Sequence, residues 1–253
     1  MHQREELYLG DIFIQHLTSE VKQIDREKNA LIYFHGFPGP VPGNPNKPIA
    51  NLLREATSDL DIDVISPFYR GISESKGKYQ FSGSLADGMM VLDWVLEQGY
   101  KNISILGYSW GAQVAFPAFI SLPDEIRGKL VLMSPATFIP ENSSLEQLVK
   151  EWRDFTPWLL EHTTDEEIIA DIATIIKTNP MNEIAKKLNP ADIHIIQAPD
   201  DDTIPQKITD YFVSLLSDAP TSYRKIPGGH EFINRDLLMQ SIREIFLMRT
   251  PKR

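Results

Sequence analysis

A serine framed by glycines, Gly107-Tyr108-Ser109-Trp110-Gly111, stands between a short apolar run, Ile103 to Leu106, and a stretch, Ala112 to Ile120, that reads as helix. A hydroxyl on so sharp a strand-to-helix turn projects clear of the backbone, provided that the flanking positions lack side chains. Its chemistry is nucleophilic attack. Serine at its free pKa attacks poorly, so it needs an imidazole to take its proton and return it to the leaving group. Of the six histidines, His230 is the best placed, in the turn Gly228-Gly229-His230 just after a predicted strand. His194 lies inside an apolar strand and reads as a core or edge residue, while His2, His16 and His162 lack supporting context and read as surface. The imidazole in turn needs a carboxylate to fix its tautomer. Asp200, Asp201 and Asp202 follow another apolar run, and all three are candidates; Asp202 or Thr203 is also placed to cap the helix that begins near Pro205.

The order serine, aspartate, histidine, with His35-Gly36-Phe37-Pro38-Gly39 closing an earlier apolar run, resembles the α/β-hydrolase superfamily over nearly the whole chain. The resemblance implies Ser109 as nucleophile at the elbow and His230 as base and then acid. Ala198-Pro199-Asp200-Asp201-Asp202-Thr203-Ile204-Pro205 is similar to the family's G-x-x-D-x-x-[VI]-P with Ala for Gly, and that alignment selects Asp201 as the orienting acid. An oxyanion hole is implied at the amides of Trp110 and Phe37, since Pro38 has no amide to offer. His35 then shapes its loop and does not move protons. Tyr69-Arg70-Gly71-Ile72-Ser73-Glu74-Ser75 resembles the family's R-G-x-G-x-S loop, with Ser73 in place of the second glycine. That implies a structural Arg70, bidentate binding of a substrate carboxylate being the lesser reading. The expected activity is that of a serine hydrolase cleaving a small carboxylic ester through an acyl-enzyme, with no cofactor and no metal. A thioesterase or small-peptide amidase would use the same triad, and a non-catalytic binding protein on a hydrolase scaffold is the alternative from another class. Haloalkane dehalogenases and epoxide hydrolases carry an aspartate at the elbow, so Ser109 argues against both.

The elements that must position these residues are legible as an alternation. Ala30 to Phe34, Asp63 to Ser66, Ile103 to Leu106, Lys129 to Met133 and Ile193 to Ala198 are short, β-branched runs bounded by turn formers, as buried strands are. Helical patterns cover Pro48 to Ser58, Ser84 to Gln98, the segment after Ser109, Pro205 to Leu216 and Phe232 to Met248. This predicts a mostly parallel central sheet with helices on both faces. Leu7 to Gln15 reads as a half-exposed strand, antiparallel to the residues before Lys28, and Tyr223 to Ile226 as the last strand. Residues 1–136 and 191–253 form the expected core. The block 137–190 breaks the alternation and reads as a helical insertion from Ser143 to about Lys187, with capping boxes at Ser143-x-x-Glu146 and Thr164-x-x-Glu167. Leu145, Leu148, Val149 and Trp152 share one helical face; Ile168, Ile169, Ile172, Ile175 and Ile176 share another. The family resemblance implies that this block is a lid, the alternative being a packed helical excursion that covers a sheet edge; Trp152, Phe155 and Trp158 accordingly either line a substrate pocket or anchor the helix to the core. The Pro- and Gly-rich stretch Gly39 to Pro48 reads as part of the pocket rim.

Composition sets the outer limits. The chain has 253 residues, 42% hydrophobic and 24% charged, with a net charge of -10, which disfavours nucleic acid or an anionic membrane as partner. It contains no cysteine, so disulfides, thiolate metal sites and a cysteine nucleophile are ruled out. No run approaches the roughly 20 apolar residues of a membrane span, and Met1 to Glu6 has no signal-peptide core. The expectation is a cytoplasmic protein acting on a small-molecule ester or acyl substrate.

Overall fold

The structure is a computed structural model and describes residues 2–19, 28–40, 47–137 and 144–248. Strands β1 (His2–Leu9), β2 (Ile12–Ser19), β3 (Asn29–Phe34), β4 (Ile62–Pro67), β5 (Asn102–Tyr108), β6 (Arg127–Met133), β7 (Ile193–Gln197) and β8 (Ser222–Lys225) form a single sheet. Their order is β1-β2-β4-β3-β5-β6-β7-β8. From β4 to β8 all neighbours are parallel, whereas β1 and β2 add an antiparallel edge. The central strands are mostly apolar because both faces are covered, with Ser66, Ser104, Lys129, His194 and Gln197 among their buried polar residues. Along β3, Leu31 and Tyr33 belong to one core layer and Ile32 and Phe34 to the other.

The first layer is closed by α1 (Lys47–Ala56) and α9 (Arg235–Leu247), which pack on each other. The second holds α2 (Phe81–Glu97), α3 (Gly111–Ile120) and α8 (Gln206–Leu215). The helical insertion joins this second layer as α4 (Leu145–Phe155), α5 (Pro157–Leu160), α6 (Asp165–Thr178) and α7 (Met181–Lys187). Helix α6 packs on α2, and α7 on α3 and α8. Val149, Ile168, Ile172 and Ile175 are fully buried in the same cluster as the sheet face. Each such side chain contributes roughly 1.5–3 kcal/mol, so the insertion docks as a packed layer along its apolar stripe.

Several boundaries differ from the sequence reading for local reasons. Leu7 to Gln15 is two strands: the chain reverses at Gly10, at φ +60°, and β1 pairs with β2 from Leu9 opposite Ile12 to His2 opposite Ser19. The residues just before Lys28 lie outside the described ones. Helix α9 begins three residues later than Phe232, which sits at φ +47° in a turn, and Asn234 caps it by accepting from the Leu237 amide. Ser143 also lies outside the described residues; Ser144 is the cap of α4, accepting from the Gln147 amide at 3.1 Å. The box at Thr164 forms as expected, with Glu167 N–H to Thr164 Oγ1 at 3.2 Å and Thr164 N–H to Glu167 Oε2 at 2.8 Å. His16 is buried, not a surface residue, because α2 and Tyr100 cover β2; its Nε2 lies 3.1 Å from the Tyr100 hydroxyl. His194 is buried in β7 and bonds Ser222 across the sheet at 2.9 Å. Most of the expected pocket rim, residues 41–46, falls outside the described residues.

Candidate active site

Ser109 follows β5 and precedes α3, at φ +52°, a left-handed backbone that a non-glycine residue adopts only under constraint. Its N–H donates to the Met133 carbonyl at 2.9 Å, and its own carbonyl accepts from Ala112 and Ala136, so the turn is fixed by the end of β6, the residues after it and the first turn of α3. The flanking glycines serve close approach. A Cβ on Gly107 would stand 2.8 Å from the Cα of Ala112, and one on Gly111 would run into the Phe34 carbonyl. Neither glycine has positive φ; the left-handed residue is the serine itself.

His230 comes from the loop after β8, Asp201 from the loop after β7. Ser109 Oγ lies 3.1 Å from His230 Nε2, and His230 Nδ1 lies 2.9 Å from Asp201 Oδ2. With Nδ1 protonated, the imidazole donates to the carboxylate and accepts from the serine hydroxyl. The second oxygen of Asp201 accepts from the amides of Ile204 at 2.7 Å and Thr203 at 3.0 Å. Burial raises the Asp201 carboxyl, but the bonds from His230 and the Ile204 amide outweigh it. Its pKa is thus held below the ordinary value.

The three adjacent aspartates have separate tasks. Only Asp201 reaches His230. Asp200 accepts from the Gly228 amide at 2.9 Å, bracing the histidine loop. Asp202 is exposed and only approaches the Thr203 hydroxyl, at 3.5 Å.

One support had no signal beyond the motif's variable letter. Tyr108 stacks on the His230 ring at 5.2 Å between centroids and donates its hydroxyl to the His230 carbonyl at 2.9 Å. It anchors the ring and the backbone of the same residue.

The backbone of Gly36 lies against the serine: a Cβ there would be 3.0 Å from Ser109 Cβ and 3.5 Å from its hydroxyl. Among the described residues, the N–H groups of Phe37 and Trp110 find no protein acceptor. Two unsatisfied donors beside a nucleophile can bind an oxyanion. His35 is fully buried, donates Nδ1–H to the Gly36 carbonyl at 2.7 Å and stacks on Tyr69. Burial pushes it down to about 4, so it is neutral at physiological pH and shapes the loop. Arg70 is engaged by Asp87, Nε to Oδ1 at 2.6 Å, and Ser73 takes the glycine-like φ of +53°.

Of the insertion's aromatics, Trp152 joins a cluster at the two free amides, 6.0 Å from Phe37 and 4.7 Å from Phe81, which also meets Trp110 at 5.0 Å. Trp158 donates its indole N–H to the Gly39 carbonyl at 3.1 Å. Phe155 is 53% exposed and lies outside that cluster. Among the described residues, no group of three or more His, Asp or Glu side chains is placed to hold a metal ion, and no helix is long and apolar enough to cross a membrane.

A sheet that carries serine, aspartate and histidine on loops after parallel strands, with the serine on a strand-to-helix turn, defines one class of α/β fold. The chain belongs to the alpha/beta hydrolase fold family, whose sequence model matches residues 29–181. Among solved structures it is similar to Est1E from Butyrivibrio proteoclasticus, with 15% identity and a TM-score of 0.69 over 96% of this chain and 97% of that one. An alpha-beta serine hydrolase homologue from Coxiella burnetii is 17% identical with a TM-score of 0.66, covering 97% of each chain. XC6422 from Xanthomonas campestris, an a/b serine hydrolase without lid, is 17% identical with a TM-score of 0.65 over 100% of this chain and 96% of its own. At these identities the likeness shows the fold alone. No curated protein sequence matches the chain.

Proposed function

We propose that the chain is a serine hydrolase that cleaves a small carboxylic ester through an acyl-enzyme. The observation that carries this reading is the unbroken relay from Asp201 through His230 to Ser109, with two free amides beside it. Ser109 Oγ attacks the ester carbonyl while His230 Nε2 takes its proton, and Asp201 holds the tautomer and balances the imidazolium that forms. The tetrahedral oxyanion accepts from Phe37 and Trp110 N–H. His230 then returns the proton to the departing alkoxide, leaving the acyl group on Ser109. Water, deprotonated by the same imidazole, releases the acid. The steps consume only ester and water. Two neighbours bear names consistent with this chemistry, the serine hydrolases of Coxiella and Xanthomonas. The insertion, whose Trp152 meets the Phe37 ring and whose Trp158 bonds the Gly39 carbonyl, is read as a lid with both tryptophans in contact with the substrate.

Labelling with a fluorophosphonate, beside a panel of p-nitrophenyl esters and acyl thioesters, tests the reading. Wild type is expected to take one label and to favour esters. Ser109→Ala is expected to lose label and turnover while melting at or near the wild-type temperature. Undiminished labelling of the mutant would place the nucleophile elsewhere, and faster thioester cleavage would move the substrate class.

A further inference from the structure

Thr156 stands at the joint of α4 and α5, where its N–H closes α4 onto the Trp152 carbonyl at 2.8 Å. Its side chain is fully buried, and its hydroxyl leaves the insertion to donate to the Pro38 carbonyl at 2.8 Å. Two residues on, Trp158 Nε1 donates to the Gly39 carbonyl at 3.1 Å; one turn before, the Trp152 ring meets that of Phe37. The three contacts fall on three consecutive residues, Phe37, Pro38 and Gly39. The amide of the first is one of the two read above as oxyanion donors, next to Gly36, whose backbone lies against Ser109. A buried carbonyl that loses its donor must find another or shift, and a shift at Pro38, whose φ is fixed by its ring, passes to the preceding peptide.

We propose that Thr156 is a positioning residue. By holding the Pro38 carbonyl it fixes the Phe37 amide against Ser109, so that the helical insertion and the oxyanion hole assemble as one unit. The inference rests on the reading of Phe37 as an oxyanion donor and assigns its placement to a residue more than a hundred positions away. Such donors act steeply with position: losing one costs about 10²–10³ in kcat, and a shift of about 1 Å can cost about 10²-fold.

The test compares wild type, Thr156→Val, Thr156→Ser and Trp158→Phe as full chains on p-nitrophenyl acetate, with kcat expressed per site titrated by fluorophosphonate. Thr156→Val, of similar shape but without the hydroxyl, is expected to lower kcat per site at least about tenfold, with KM within about twofold. Thr156→Ser is expected to recover most of the loss. A purely structural role would reduce the number of titrated sites and leave kcat per site intact. Wild-type kcat per site in Thr156→Val, or a Ser variant as slow as the Val variant, overturns the proposal. Should Thr156→Val fail to fold, Trp158→Phe, which removes a single indole donor from a half-buried side chain, decides: a lower kcat per site with KM and the acetyl-to-butyryl ratio within about twofold supports the coupling, and an unchanged kcat per site, or a loss carried by KM or by that ratio, refutes it. A wild type that neither takes the label nor turns over the ester refutes the parent reading itself, whereas a labelled, active wild type with unaltered variants refutes only the clamp.

Discussion

At the scale of single residues, the acidic run after β7 gives the sharpest test. Asp201 is buried, meets His230 and two amides, and is expected to be irreplaceable: Asp201→Asn should lower kcat by a factor that can approach about 10⁴, as known for such orienting acids. Asp200 braces the Gly228 amide from an exposed position, so Asp200→Asn is expected to have a small effect, and Asp202→Asn almost none. Ester kinetics on the three mutants check this; comparable losses in all three would remove Asp201 from the relay. Ser109, His230 and Asp201 are legible in the sequence because their turns constrain their neighbours. Gly107 and Gly111 are forced by close approach to α3 and β3, and Pro205 by the helix start. Thr156 and Tyr108 left no such mark. A threonine between Phe155 and Pro157 reads as an ordinary helix break, and nothing local announces a partner at Pro38. The burial of His16 is silent in the sequence for the same reason, since it depends on α2 and Tyr100.

At the scale of elements, the insertion presents its three predicted aromatics to different surroundings. Trp152→Ala and Trp158→Ala are expected to change the ratio of kcat/KM between acetyl and longer acyl esters, at about 0.8 kcal/mol or nearly fourfold per methylene gained or lost from contact. Phe155→Ala is expected to leave the ratio unchanged, because its ring is half in solvent. Ratios cancel any uniform loss of folded protein, so identical ratios in all mutants would make the insertion a structural layer only. Helices and parallel strands were readable because each carries its own periodicity and caps, as Thr164 and Glu167 show. The hairpin at Gly10 was not. Leu7, Leu9, Ile12 and Ile14 look continuous, yet the step from Leu9 to Ile12 is three, an odd interval that reverses the face of a strand and so marks the turn.

At the scale of the whole molecule, buried imidazoles tie stability to pH. Burial holds His35 near pH 4, and burial together with the cations Lys129 and Arg224 brings His194 to about 4 as well. In the unfolded chain both titrate near 6.5. Between these values the unfolded chain binds more protons, so stability present above about pH 6.5 is lost as the pH falls towards 4, by up to about 3 kcal/mol per histidine. Asp63 and Asp201, whose carboxyls lie below their ordinary values, add a further loss at still lower pH. Denaturant midpoints measured from pH 7 to 4 should fall through this window, and His194→Gln should flatten part of the slope; a flat profile would show that neither ring is buried as described. The sheet also fixes when the site can exist. Ser109 and His230 stand 121 residues apart, and chains are synthesised N-terminus first at roughly 5–20 residues per second. The nucleophile is therefore made about 6 to 24 seconds before its base, and throughout that interval the nascent chain carries the serine without the imidazole that is paired with it in the folded protein.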